Sequence, residues 1–572
     1  MKIIYTVLLL TLLAISMVFP QWKTTVEENN FISVAASNQT APSFASDGDA
    51  GAFIAWTDYR NSSSEQDIYV QRIDKDGYTI FQEDGIAVCD VEGAQNQTQI
   101  VATSDSCAII FWIDNRTNYT NSTDLYAQKI DRQGNILWTS GGVPVSQFDD
   151  PTPGSASDFF AIADDNGGAY VAWILGYYGY GQLRAQKIDN NGNIMWDSTG
   201  AVLTDGAVDS RSPRLVRNHS GITVVYRHTV GGYAIYYQIV DEFGNIKFTR
   251  PGKLVATNGP QGATSIAMAD TTQNEAVVIL WGENQSGNTG TLFAQAMDND
   301  GNKLWGSDPV IINDVPGNHA YYKIVKSLNN SDYYLVWKDG RRINVAYDIY
   351  AQKINNSGQP QWTQNGILVC NTPYLFTNTS ISVNNDGIYV SWADTRASAF
   401  GIYAQKIKSD STFEWINNGI RLTQNFDVMN LMTLDPEVNT GGALVVFSGN
   451  GNPSGTGENV YVKYVGANGV VGGVTSNDEN SYVNPTEFDL VQNYPNPFNP
   501  STKISWQSPV SSYQTLKVYD ILGNEVATLM DEYRDAGSYE IEFNASALSS
   551  GVYFYKLQSG NLVLTKKMTL IK

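Results

Sequence analysis

Apolar and β-branched residues along this chain fall in short alternating runs, punctuated by clusters of Gly, Asn and Asp. Residues 98–146 show the pattern: TQIVATS (98–104), AIIFWID (108–114), LYAQKID (125–131) and a segment ending in VPVS (143–146) each have the alternation of a strand. No run of apolar residues keeps the 3.6-residue period of a helix. The pattern predicts an all-β chain built from units of four short strands.

The units repeat. DLYAQKIDRQGNILW (124–138) returns as QLRAQKIDNNGNIMW (182–196), TLFAQAMDNDGNKLW (291–305) and DIYAQKINNSGQPQW (348–362). Its Gln falls at Gln71, Gln128, Gln186, Gln238, Gln295, Gln352 and Gln405, with Lys463 in its place in a further copy. The spacings are 57, 58, 52, 57, 57, 53 and 58 residues. About fifteen residues upstream runs a second register: Trp56, Trp112, Trp173, Tyr226, Trp281, Trp337, Trp392 and Phe447. Tandem units of about 56 residues with four strands each predict the blades of a β-propeller spanning residues 21–475. Both registers count eight blades, or seven if the divergent copy at 208–257 is not a blade.

The last copy ends weakly at NGVVGGVTS (468–476), without an aromatic or a fourth strand. NNFISVAASNQTAPS (29–43) resembles DGIAVCDVEGAQNQTQ (84–99), so the stretch around Phe31–Val34 is expected to supply that strand and close the ring. The repeated Gln alternates with its strand neighbours and is expected to bond across to a neighbouring blade. The Asp-x-x-Gly-Asn segments (131–135, 189–193, 298–302) lack the further acids of a calcium loop and read as tight hairpins. The following Phe81, Trp138, Trp196, Phe248, Trp305, Trp362 and Trp415 read as packing anchors.

Composition narrows the setting. Of 572 residues only 16% are charged while 12% are aromatic, as expected for extracellular β structure. A net charge of −21 repels nucleic acid and anionic lipid. Lys2 followed by the apolar run Ile3–Phe19 reads as a secretory signal peptide over residues 1–20, and no second run of spanning length follows, so the mature form has no transmembrane segment. Cys89, Cys107 and Cys370 form no CxxC pair and are too few for a disulfide framework; Cys89 and Cys370 hold equivalent repeat positions and read as buried hydrophobes, with a Cys89–Cys107 bridge as the other option.

The repeated hairpin resembles Asp-box and quinoprotein-type propeller repeats, a resemblance that speaks to fold alone. Beyond a polar linker at 476–487, residues 488–572 carry NYPNPFNPST (493–502), VYDILGNEV (518–526), LSSGVYFYKL (548–557) and KKMTLIK (566–572). Together these resemble the type A C-terminal sorting domain of the type IX secretion system. The alternating runs predict a small antiparallel, immunoglobulin-like sandwich. The resemblance implies a substrate of the type IX machinery, sent to the outer cell surface or beyond a Gram-negative envelope, with the domain removed and the passenger attached to lipopolysaccharide. Its signal residues here are Asn493, Tyr494, Pro495, Asn496, Pro497, Gly551, Lys566, Lys567 and Lys572.

Candidate chemistry lies in the loops between strands two and three, which differ most between copies. Four begin Trp-x-Asp-x-Arg: Asp58/Arg60, Asp114/Arg116, Asp339/Arg341 and Asp394/Arg396. They read either as an arginine-lined mouth for carboxylates or sugars, or as local ion pairs bracing each loop. Tyr177 and Tyr178 in LGYYGYGQ (175–182) offer rings for sugar stacking. His219, His228 and His319 have no metal-ligand spacing and no catalytic arrangement, so neither cofactor, metal nor catalytic residue is assigned. The sequence thus points to a secreted, non-catalytic binding or structural protein with a glycan or protein ligand, the alternative being an extracellular propeller glycosidase or lyase.

Overall fold

The computed structural model describes residues 22–62, 65–116, 123–146, 155–177, 180–206, 209–229, 233–257, 263–270, 277–285, 289–328, 331–342, 347–371, 379–396, 400–423, 427–434, 442–450, 457–472, 488–508, 512–534, 537–560 and 562–571. The signal peptide expected at 1–20 and the linker at 476–487 lie outside them. Among the described residues every regular element is a strand, and no helix is long and apolar enough to cross a membrane.

From Gln39 to Val465 the strands fall into consecutive antiparallel sheets, each with its strands in chain order. The first is Gln39–Ser46, Ala52–Asp58, Asp67–Ile73 and Ile86–Cys89; the seventh ends at Ile420–Arg421. The eighth has only Asp427–Leu434, Ala443–Asn450 and Glu458–Val465 from its own repeat, and Asn30–Ser33 pairs antiparallel with Glu458–Val465 to make the fourth strand. The first strand of each sheet touches the first strand of the next, and that of the eighth touches that of the first. First strands therefore surround a central channel in a closed, propeller-like ring.

Second strands carry the packing. AFIAWTD (52–58) and AIIFWID (108–114) are buried at every position because both faces meet neighbouring sheets, which is why they read as continuous apolar runs. Trp56, Trp112, Trp173, Trp281, Trp337 and Trp392 are fully buried at the interfaces between sheets. The turn before the fourth strand runs hard against these rings: a Cβ on Gly142 (φ +87°) would lie 2.4 Å from Trp112, so only Gly fits.

The C-terminal unit has two sheets. Asp489–Leu490, Ser501–Ser508 and Gly537–Asn544 form one; Glu525–Arg534, Ser512–Tyr519, Gly551–Ser559 and Leu562–Leu570 form the other. Ile504, Trp506 and Phe543 from the first share one core with Leu516, Tyr555 and Met568 from the second.

Candidate functional site

Repeat-equivalent residues turn inward. Gln71 Nε2 donates to the Gln82 carbonyl at 2.9 Å, and its Oε1 accepts from the Arg72 and Phe81 amides, both at 2.9 Å. Gln128 does the same with Thr139, Lys129 and Trp138. The inter-sheet bonds expected of this amide do not form; it bonds within its own sheet, because the hairpin after the third strand folds back over the same strand and offers unpaired backbone groups at that position. The Asp-x-x-Gly-Asn carboxylates are used in the same way: Asp131 Oδ1 accepts from the Gln133 and Asn135 amides at 2.9 Å each, and Oδ2 from Asn135 Nδ2 at 2.8 Å.

The anchor aromatics, in contrast, do bond across to the neighbouring sheet. Trp138 Nε1 donates to the Asn190 carbonyl at 2.9 Å, in the hairpin of the next sheet, and Trp196, Trp305, Trp362 and Trp415 repeat the step. In the eighth sheet the part is played by Trp22, whose Nε1 donates to the Lys75 carbonyl at 2.9 Å. Sequence reading missed Trp22: its aromatic at the head of an outer strand was a usable signal, obscured by a longer spacer before Asn30.

The four Trp-x-Asp-x-Arg loops share one geometry. Asp58 is fully buried; its Oδ2 accepts from Trp56 Nε1 and Arg60 Nη2 at 2.7 Å each, and its Oδ1 from Arg60 Nε at 2.9 Å. The Arg60 guanidinium lies 3.8 Å over the Tyr69 ring and donates to the Asp84 carbonyl at 2.8 Å. Arg116 (on Asp114), Arg341 (on Asp339) and Arg396 (on Asp394) stack likewise on Tyr126, Tyr350 and Tyr403 and donate to the carbonyls of Gly141, Asn365 and Asn418. Each also reaches the outer strand of the preceding sheet: Arg116 meets Cys89 Sγ at 3.2 Å and Arg396 meets Cys370 Sγ at 3.1 Å. Burial works against the charge of Arg396, but the paired Asp394 carboxylate outweighs it and holds the guanidinium firmly protonated. The pairs thus tie three strands and two sheets together, with Arg60 and Arg341 side chains 17% exposed and Arg396 sealed.

Cys89, Cys107 and Cys370 are buried free thiols with no disulfide between them, and burial pushes Cys89 up to about 11. His228 Nδ1 shares a hydrogen bond with Ser210 Oγ at 2.9 Å, and the buried imidazole lies edge-on to the rings of Tyr226 and Tyr236. Tyr177 ends the second strand of the third sheet, and Tyr178 lies outside the described residues.

In the C-terminal unit the Pro-rich motif is knitted into the core. Asn493 is buried, its amide donating to Tyr555 Oη at 2.8 Å and its side chain to Thr502 Oγ1 at 2.9 Å. Asn496 Oδ1 accepts from the Thr569 amide at 2.9 Å, joining the motif to the last strand. Tyr494, Pro495, Pro497, Lys566 and Lys567 face solvent, Gly551 opens the penultimate strand, and Lys572 lies outside the described residues.

Residues 492–572 match the family described as Secretion system C-terminal sorting domain. The match marks the chain as a type IX secretion substrate, directed through that machinery to the cell surface or the extracellular space. No curated protein matches the chain. Among solved structures, the polysaccharide lyase Uly1 is similar over 78% of this chain and 93% of its own, at 10% identity and a TM-score of 0.36. An α-L-arabinanase of Penicillium chrysogenum is similar over 67% and 97%, at 8% identity and a TM-score of 0.32. A protein of unknown function from Dyadobacter fermentans covers 56% of this chain and 96% of its own, at 11% identity and a TM-score of 0.29. At these scores the likenesses say nothing about activity.

Proposed function

We propose that residues 21–475 are an eight-bladed β-propeller, displayed or released by the type IX route as a non-catalytic protein that binds a glycan or a protein. Residues 476–487 are its linker, and residues 488–572 an immunoglobulin-like sorting sandwich from which the passenger is freed for attachment to lipopolysaccharide. One observation carries this reading: the polar groups that recur from repeat to repeat are used up in holding the ring together. The glutamines, hairpin aspartates and Asp–Arg pairs all have partners of their own. Their regularity is that of a scaffold, and recognition falls to what differs between repeats.

The face carrying the strand-two-to-three loops is the ligand face. There Arg60, Arg116, Arg341 and Arg396, with Asp58, Asp114, Asp339 and Asp394, brace the rim, and Tyr177 and Tyr178 belong to its divergent part. A glycan array probed with the full chain tests the proposal. Specific binding without release of new sugar ends is expected; release of reducing or unsaturated ends would make the protein a glycosidase or lyase instead. Arg341→Lys should keep both fold and binding. Loss of binding with the fold intact would make the guanidinium a ligand contact.

A further inference from the structure

The innermost strands depart from ideal geometry at one common level. Register shifts fall between Thr40 and Ser43, Asn96 and Gln99, Ser157 and Phe160, Arg211 and Arg214, and Ala320 and Lys323. Within these bulges Ala41, Gln97, Asp158, Ser212 and Tyr321 hold positive φ, between 43° and 57°. Such bulges re-aim the side chain that follows. Arg214 pairs with Val225 and Lys323 with Val336, each the residue before the second-strand aromatic, so both stand at the same height around the channel.

The occupants of that level divide into two kinds. In the first three sheets they close onto the next sheet: Ser43 Oγ accepts from the Ile100 amide at 3.1 Å, Gln99 exchanges bonds with Ala161 at 2.9 Å, and Phe160 lies under Arg214 at 5.1 Å. Sheets four and six place cations there. Among the described residues Lys323 has neither hydrogen bond nor ion pair, and Arg214 bonds only the Pro213 carbonyl, at 2.8 Å.

Lys323 and Arg214 both keep accessible surface, yet desolvation by the surrounding protein lowers the pKa of each. Both facts hold for a side chain that reaches into the space enclosed by the first strands. The Arg214 charge depresses Lys323 further, and the strands that carry the two flank the first strand of the fifth sheet on either side at the same level of the ring. Arg227 adds a third cation, held by Ser212 Oγ at 3.1 Å, and Asp158 is the carboxylate whose charge favours Arg214. Lys323 and Arg214 are two cations set at one level of the ring in a chain of net charge −21. Like charges held together and desolvated are unfavourable unless an anion joins them.

Sheets three, four and five also lack the Asp–Arg brace, with Leu175, His228 and Glu283 where the aspartate would stand. Tyr321, 52% exposed and flanked by Lys338 at 5.1 Å, gives an aromatic face two residues from Lys323. The overall negative field disfavours a long polyanion but not a short ligand with one or two charges.

We propose that the central channel is a binding site for an acidic sugar residue, with Lys323 and Arg214 holding its carboxylate or sulfate and Tyr321 at the rim. This rests on the binding-protein reading above and names its ligand class. The experiment is calorimetric titration of the full chain with digalacturonate, neutral galactobiose and sodium sulfate. Digalacturonate should bind at least about tenfold more tightly than galactobiose, the margin of a charge-assisted hydrogen bond. Lys323→Gln and Arg214→Gln should each abolish that margin, Lys323→Arg should retain it, and thermal melting should show all three variants folded. Sulfate binding as tightly as digalacturonate would overturn the sugar assignment and leave a bare anion site. Equal affinity for galactobiose, untouched by the substitutions, would overturn the acidic ligand while leaving a glycan-binding protein. Absence of binding to all three probes by the folded chain would overturn the channel site, whereas the glycan array decides the wider reading separately.

Discussion

The indole nitrogen of Trp22 lies 2.9 Å from the carbonyl oxygen of Lys75 and donates to it, joining the head of the described chain to the first sheet's hairpin. Every other inter-sheet tryptophan step joins one repeat to the next in sequence. This one closes the circle. Trp22 also stacks on Tyr464 of the eighth sheet, with ring centroids 5.5 Å apart.

Replacing Trp22 by Ala is therefore expected to destabilise the ring by about 3–5 kcal/mol, the cost of deleting a buried aromatic. Trp22→Phe keeps most of the packing and should lose only about 1 kcal/mol for the hydrogen bond. Urea denaturation followed by circular dichroism separates the two values.

Lys463, standing where the other repeats have Gln, donates to the carbonyls of Thr25 and Glu28 in the same N-terminal strap. Burial lowers its pKa to about 8, opposed by Glu28 and Glu27. An unfolded lysine titrates near 10.4, so between about pH 8 and 10 the unfolded chain binds more protons and stability rises with pH. The rise amounts to roughly 3 kcal/mol at most. Lys463→Met should flatten it, and denaturant midpoints at pH 7.5 and 9.5 measure the difference.

Asp124 faces Asp114 directly across the strand pair, and its pKa is raised to about 6 by burial first and by the Asp114 charge second. The folded state then holds a proton that the unfolded state releases near 3.9. Its contribution to stability is complete below pH 4 and disappears as the pH passes 6. Asp124→Asn should raise stability at pH 7 by about 1–2 kcal/mol, after allowance for partial exposure. It should change little at pH 4, as thermal melts at the two pH values will show.

Arg396→Ala leaves the buried Asp394 carboxylate without its guanidinium and should cost about 3–5 kcal/mol. The equivalent Arg60→Ala should cost less, because Arg60 is 17% exposed and water reaches the vacated space. The ranking, read from denaturant midpoints of the two variants, tests the brace.

In the sorting domain, Asn493→Ala removes the side-chain bonds to the Pro495 carbonyl and to the buried Thr502 hydroxyl. A loss of about 1–3 kcal/mol is expected. The fraction of chain recovered outside the cells should fall in parallel.

The strands, the hairpins and the tandem repeat were legible because each rests on local chemistry: alternation, Gly at positive φ, and an aspartate bonding amides two and four residues ahead. The Asp58/Arg60 pair and its equivalents were visible as a motif, but not the rings of Tyr69 and Tyr126 beneath the guanidiniums, which lie on the next strand. The repeated Gln was legible as buried, while its direction depended on where the hairpin folds back. Arg214 and Lys323 gave no signal, for neither belongs to a motif and they stand more than a hundred residues apart in the chain.

By itself the sequence determined the period, the strand pattern and the secretion signals at its end, since these are properties of neighbouring residues. Tertiary structure alone decided that Trp22 bridges the eighth sheet to the hairpin of the first, and that Arg214 and Lys323 stand at one level of the ring. Ring closure brings together groups that no local rule relates, and the electrostatics of an enclosed space exist only once the ring has closed.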